Sequence, residues 1–183
     1  AAAVSARRNL LVTGGTATGK TTLLAALLDL VPQSERIITI EDVAELRLAN
    51  PHRVALEARQ PNAEGAGEVT LERLLREALR MRPDRIVLGE CRGPELATML
   101  SALNTGHDGG AATLHASSIA GVPARLEALG ALAGLDPPAL ARQAVSALDL
   151  VVHLERKESG ERRIAGLGRP YLLGDRIDVE PLP

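Results

Sequence analysis

The sequence predicts an α/β fold, a mostly parallel sheet with helices on both faces. Three observations predict it. Short apolar runs that read as buried strands alternate with longer runs whose apolar residues recur at helical spacing. Apolar residues make up 45% of the chain with no Phe or Trp, so the core is Leu, Val, Ile and Ala. Reactive polar residues also follow several strands at once, where open parallel sheets bind ligands. At 183 residues the chain suits one compact domain with a real core.

The elements follow in order. Residues 9–13 read as a buried strand leading into a glycine-rich turn. Over 21–31, Leu23, Leu24, Leu27, Leu28 and Val31 repeat at helical spacing, and Pro32 ends the run. Residues 36–40 and 54–58 are β-branched strands. Thr70 can cap a helix over 70–81 that Pro83 stops. Residues 86–88 form an apolar strand, 94–103 a helix closed by Gly106, and 111–114 a strand of small residues. Helices are expected over 123–133 and 138–148. Segments 150–154 and 163–167 flank Ser159-Gly160 and predict a small C-terminal β-hairpin. The domain is expected to span 1–168, with 169–183 as an irregular tail.

Composition excludes some functions. The formal charge is −2 and no basic stripe appears, so nothing attracts nucleic acid in general. Aromatics that would stack bases are missing. Cys91 is the only cysteine, which leaves no internal disulfide. No apolar run reaches the roughly 18 to 20 residues that cross a bilayer. A soluble cytoplasmic protein, touching membrane only through a partner, is the expectation. Among 21 basic residues only Lys20 and Lys157 are lysines. Lys20 therefore stands where a compact, flexible ammonium is preferred to a planar guanidinium.

Gly14, Gly15, Thr16, Ala17, Thr18, Gly19, Lys20 and Thr21 match G-x-x-x-x-G-K-[ST]. The match lies between a strand and a helix, as its mechanism requires. Backbone N–H groups would wrap phosphates, and the helix N-terminus adds partial positive charge. Lys20 would reach the β- and γ-phosphates of ATP, and the Thr21 hydroxyl would coordinate Mg2+.

Such enzymes also need an acid at the end of a second strand. Asp84 lies about five residues early, roughly 16 Å from the phosphate edge at 3.3 Å per residue. Glu90 follows the strand, so it is assigned as the water-activating base, with Mg2+ contact directly or through water. Asp84 is expected to pair with an arginine or cap a backbone turn. Glu41 is the first acid past another strand and a candidate water or magnesium contact. Asp42 and Glu45 are equally explained by helix-dipole preference. His115 ends its strand and could sense the γ-phosphate, bond Glu90, or merely bond backbone. Arg59, on an exposed connection, could reach a neighbour's γ-phosphate or form a surface salt bridge.

These motifs together resemble the type II/IV secretion ATPases, and within them the tight-adherence (Flp) pilus assembly branch. The residues carrying the likeness are 14–22, Ile40-Glu41-Asp42, Glu45-Leu46, Arg59-Gln60-Pro61-Asn62 and Gly67-Glu68-Val69-Thr70. Residues 80–85 with Gly89-Glu90, then 104–109 and 113–116, complete it. The resemblance implies a RecA-like P-loop NTPase core acting as a ring, usually a homo-hexamer, peripheral to the inner membrane. ATP turnover would drive pilus assembly or protein secretion through membrane platform proteins.

In family terms Lys20, Thr21 and Thr22 belong to the Walker A box and Glu41 to the aspartate box. Glu90 belongs to an atypical Walker B box in which Gly89 replaces the aspartate. His115 belongs to the histidine box, and Arg59 looks like the inter-subunit arginine. Ala17 stands where glycine is more usual. Family members carry a further N-terminal domain, and eight residues precede the first strand here, so the chain reads as a fragment. A DNA-transfer motor of similar core, or a slow or non-hydrolysing nucleotide-binding scaffold, are the alternative expectations.

Overall fold

A computed structural model of the chain describes residues 1–183. Its strands are β1 (Leu10–Gly14), β2 (Ile37–Glu41), β3 (Arg53–Glu57), β4 (Arg85–Cys91) and β5 (Ala111–His115). After these come β6 (Leu150–Arg156), β7 (Arg162–Leu173) and β8 (Arg176–Leu182). The helices are α1 (Ala2–Ser5), α2 (Lys20–Leu28), α3 (Leu71–Arg80), α4 (Glu95–Leu103), α5 (Val122–Leu132) and α6 (Pro137–Ala147). All eight strands form one sheet in the order β3-β2-β4-β5-β1-β6-β7-β8. The first six in that order run parallel, and β7 and β8 are antiparallel additions.

Strand burial follows position in the sheet. Every residue of the central strands β1 and β2 is buried, whereas the edge strand β3 alternates exposed and half-buried residues. Successive strand residues divide between two cores. Leu11, Ile38, Ile86 and Ala112 face the larger core with α3, α4, α5 and α6. Their neighbours Leu10, Ile37, Val87 and Ala111 face the smaller one with Leu24 and Leu28 of α2 and Val4 of α1. This period of two puts helices on both faces. Thr70 caps α3 as the sequence implies, its Oγ1 accepting from the Arg73 N–H at 3.2 Å.

The expected irregular tail is corrected. Residue 168 falls inside β7, which runs on to Leu173, turns at Gly174 (φ 60°) and pairs with β8. Ile177 and Val179 alternate inward, 3% and 6% exposed, and join the larger core. That pattern was hidden by Pro170 and Pro181, residues that strands accept only where the N–H is not needed. Glu90 also lies within β4, not beyond it. The β4–β5 register shifts between Leu88 and Cys91, a bulge that re-aims the strand end.

Candidate active site

Because β1, β2, β4 and β5 run parallel, their carboxyl ends share one rim. There a cavity of about 570 Å³ is bounded by the glycine loop, Glu41, Glu90 and His115. That volume lies in the range of small-ligand sites. The four strand-end groups therefore meet as the sequence implies.

The loop is tightly specified. A Cβ at Gly14 would lie 2.5 Å from the Leu154 carbonyl oxygen, so only glycine fits under the loop. Gly19 precedes α2 with φ 95°, a conformation that suits glycine. Ala17 takes φ 58° without that freedom. The Thr18 hydroxyl donates to the Gly15 carbonyl at 2.9 Å and braces the turn. Lys20 is 7% exposed, and its Nζ donates to the Gly14 and Gly15 carbonyls at 3.1 and 2.9 Å. Burial lowers its pKa, opposed by the nearby Glu90 carboxylate. An anion in the cavity would oppose that lowering, as Glu90 does.

Glu90, Lys20 and His115 form one cluster. The His115 Nε2 lies 3.4 Å from the Lys20 Nζ and 3.3 Å from a Glu90 carboxylate oxygen. A ring nitrogen can accept from the ammonium or donate to the carboxylate, not both at once. Glu90 keeps 42% of its side chain exposed, facing the cavity. Its backbone is set by the neighbouring Gly89, whose carbonyl accepts from the Thr113 hydroxyl at 2.6 Å.

Glu41 is held differently. One oxygen accepts from the Glu45 and Leu46 N–H groups at 3.1 and 3.0 Å, leaving the other for a ligand. Burial raises its pKa, against the lowering by those two backbone donors. A Cβ at Gly89 would sit 2.6 Å from Glu41 Cγ. Gly89 is thus the residue that lets Glu41 reach the rim between β2 and β4.

The donors facing the cavity beside Lys20 are hydroxyl and carboxylate oxygens: Thr21, Glu45, Glu41 and Glu90. Thr21 Oγ1 lies 3.5 Å from a Glu45 oxygen. This hard-oxygen set fits magnesium shared with phosphates. No group of three or more His, Cys, Asp or Glu is arranged to hold a metal alone.

Arg59 is not in this cavity. It lines an adjoining groove of about 370 Å³, its backbone pairing with Val69 and its guanidinium over Gly67. Asp84 neither caps a local turn nor pairs with an arginine side chain; its carboxylate accepts from the backbone N–H of Arg36, before β2, at 2.7 Å. Sequence reasoning missed three groups. Arg92 pairs with Asp42 at 2.6 Å in the wall between the cavity and the groove. Arg162 lines the cavity from β7. His153 lies beneath the loop, its Nδ1 2.9 Å from the Thr13 hydroxyl, and burial lowers its pKa. Only the pairing of β6 beside β1 could have revealed His153, and no local signal carries that.

A family model described as "Type II/IV secretion system protein" matches residues 1–165. The chain belongs to that family. A Mycobacterium tuberculosis protein named for conjugal transfer is 57% identical over 162 residues, covering 88% of this chain and 46% of that one. The crystal structure of the VirB11 ATPase of the Brucella suis type IV secretion system, in complex with sulphate, matches with TM-score 0.76 and 33% identity. It covers 91% of this chain and 49% of VirB11. The pilus retraction motor PilT with bound ADP matches with TM-score 0.65 and 26% identity, over 96% of this chain and 47% of PilT. The chain thus spans about half the length of these secretion-family relatives. No helix is long and apolar enough to cross a membrane.

Proposed function

We propose that the chain is the ATP-hydrolysing motor domain of a ring-forming secretion or pilus-assembly machine. The observation that carries this is the meeting of Lys20, His115 and Glu90 across one rim of the sheet. The glycine loop and Lys20 bind the β- and γ-phosphates, while the Thr21 hydroxyl and Glu90, directly or through water, would hold magnesium, which when bound would supply charge neutralisation at the phosphates. Glu90 accepts the proton of the attacking water, and His115 fixes the Glu90 carboxylate or the γ-phosphate side. Glu41 orients water through its uncommitted oxygen.

Two similarities support the nucleotide reading: PilT was solved with ADP, and VirB11 with sulphate, a phosphate-like anion. The placement of Arg59 outside the cavity supports a role across a subunit interface, in a homo-hexameric ring on the cytoplasmic face of the inner membrane. Platform proteins of that membrane are the partners. The Flp pilus assembly branch is the cargo system the sequence motifs favour.

Conjugal transfer is the second reading, favoured by the 57% identity to the mycobacterial relative. With a net charge of −2, the domain would then power a DNA-transfer machine without gripping DNA itself. ATPase stimulation by DNA with a steep salt dependence would establish direct DNA contact and displace the pilus reading.

The test uses the chain with its natural flanking sequence. Lys20→Ala is expected to lose nucleotide binding, and Glu90→Gln to bind ATP but turn it over about 10² to 10⁴ times more slowly. Undiminished turnover in Glu90→Gln would remove Glu90 as base. Mixing Arg59→Ala with Lys20→Ala subunits is expected to restore part of the activity if Arg59 acts in trans. Mixed rings with no recovery would refute that role.

A further inference from the structure

The geometry points to Arg162 as a nucleotide contact in cis that grips the α-phosphate and ribose end of the bound ATP, opposite Glu90. This rests on the nucleotide-site reading above and assigns the half of the cavity that reading leaves unlined by charge.

In sheet order, β4 with Glu90 and β5 with His115 lie on one side of the β1 loop, and β6 and β7 on the other. A triphosphate with its γ end at Glu90 and its β-phosphate in the loop must run toward β6 and β7. Arg162, the first residue of β7, stands there. It lines the cavity, and its Cδ lies 3.4 Å from where a Cβ of Gly19 would be. Its stem therefore crosses the glycine at the start of α2.

Its charge has no protein partner. Arg162 sits directly opposite Arg156 in the β6–β7 register, and like charges at such a position repel. Neighbouring charges of the hairpin pair with one another rather than with Arg162. Lys157 bonds Glu161 at 2.7 Å, and Arg163 bonds Glu155 at 2.5 Å. Arg156 turns its guanidinium over Gly160, so the unpaired guanidinium of Arg162 is the one beside the phosphate loop, and it calls for an anion. A guanidinium suits this, because it can bind two phosphate oxygens, or one phosphate and a ribose hydroxyl, together. The backbone is rigid enough to aim it. The Lys157 N–H donates to the Glu161 carbonyl and the Gly160 N–H to the Lys157 carbonyl, both at 2.8 Å, closing the turn before β7.

The α-phosphate and ribose are common to ATP and ADP, so Arg162 serves both. Titration of fluorescently labelled ATP and ADP into wild type, Arg162→Ala and Arg162→Lys tests this. Arg162→Ala is expected to weaken both nucleotides by about tenfold, the size of one charge-assisted contact, with Arg162→Lys between. In turnover assays KM rises by a similar factor while kcat stays within about twofold. Arg162 is exposed, so the nucleotide-free melting temperature stays at the wild-type value, separating lost contact from lost fold. Unchanged affinity for both nucleotides overturns the proposal. Weakened ATP with unchanged ADP also overturns it, because it would place Arg162 at the γ-phosphate. Lys20→Ala run alongside separates the two levels: wild-type nucleotide affinity in Lys20→Ala would sink the site reading itself.

Discussion

The two rims of the sheet carry the same kinds of side chain and use them in opposite ways. At the amino ends of the parallel strands, Arg85, Arg7 and Asn9 have fixed partners. Arg85, 2% exposed, donates from Nε to Glu35 at 2.7 Å and from Nη2 to the Val4 carbonyl at 3.1 Å. Arg7 donates to Glu35 at 2.8 Å and to the Asp84 carbonyl at 2.6 Å. Asn9 accepts from the Gly109 and Gly110 N–H groups at 2.8 and 3.0 Å. At the carboxyl ends, Lys20 rests on carbonyls of its own loop, His115 faces two claimants with one nitrogen, and Arg162 faces Arg156. Satisfied charges hold a structure together, and charges left wanting an anion mark where a ligand belongs. That contrast, more than any single residue, separates scaffold from site.

The contrast can be broken by exchanging the effects of the two rims. Lys20→Ala should abolish measurable nucleotide binding while leaving the melting temperature at or above the wild-type value, since it removes a buried ammonium. Arg85→Ala should do the reverse. Losing a buried charge beside Glu35 is expected to cost about 3 to 5 kcal/mol, read as a melting point lower by roughly 6 to 20 °C. Nucleotide affinity per folded molecule should be retained. A variant of Arg85 that folds normally but fails to bind nucleotide would dissolve the distinction.

Smaller effects sharpen it. Gly89→Ala forces a methyl to 2.6 Å from Glu41 Cγ, so a stability loss of about 1 to 3 kcal/mol is expected, with reduced turnover as Glu41 moves. Glu41→Gln keeps an acceptor for the Glu45 and Leu46 N–H groups while removing a buried charge. Because burial raises the Glu41 pKa, the folded state holds its proton more tightly than the unfolded one. That stabilisation is full below the ordinary carboxylate range and is lost as pH rises through the raised value. The substitution should therefore raise the melting temperature near pH 7, flatten its decline with pH, and lower turnover. Ala17→Gly should be nearly neutral. Relief of left-handed strain, about 1 kcal/mol, is offset by the greater freedom of unfolded glycine, about 0.5 to 1 kcal/mol.

Much of this was legible from residues alone. The loop, the strand-end acids and His115 could be placed because parallel strands turn sequence position into spatial position at one rim. Asp84 and Glu90 differ by only six positions, yet strand length alone separates their rims. Other features resisted for physical reasons. The Pro170 and Pro181 positions hid the β7–β8 hairpin, since proline argues against a strand unless the pairing is known. Arg162 and His153 reach the loop through β6, which sits beside β1 although some 140 residues separate them in the chain. The bulge in β4 depends on its pairing with β5, which no local pattern records.

The central claim is that phosphates on the Lys20 side meet a water held by Glu90. A crystal structure of the protein with magnesium and a non-hydrolysable ATP analogue tests it most directly. The account predicts the γ-phosphate within about 3 Å of the Lys20 ammonium, and a water within hydrogen-bond reach of both the Glu90 carboxylate and the γ-phosphorus face. A γ-phosphate seated there with Glu90 turned away, and the attacking water held by another side chain, would contradict it.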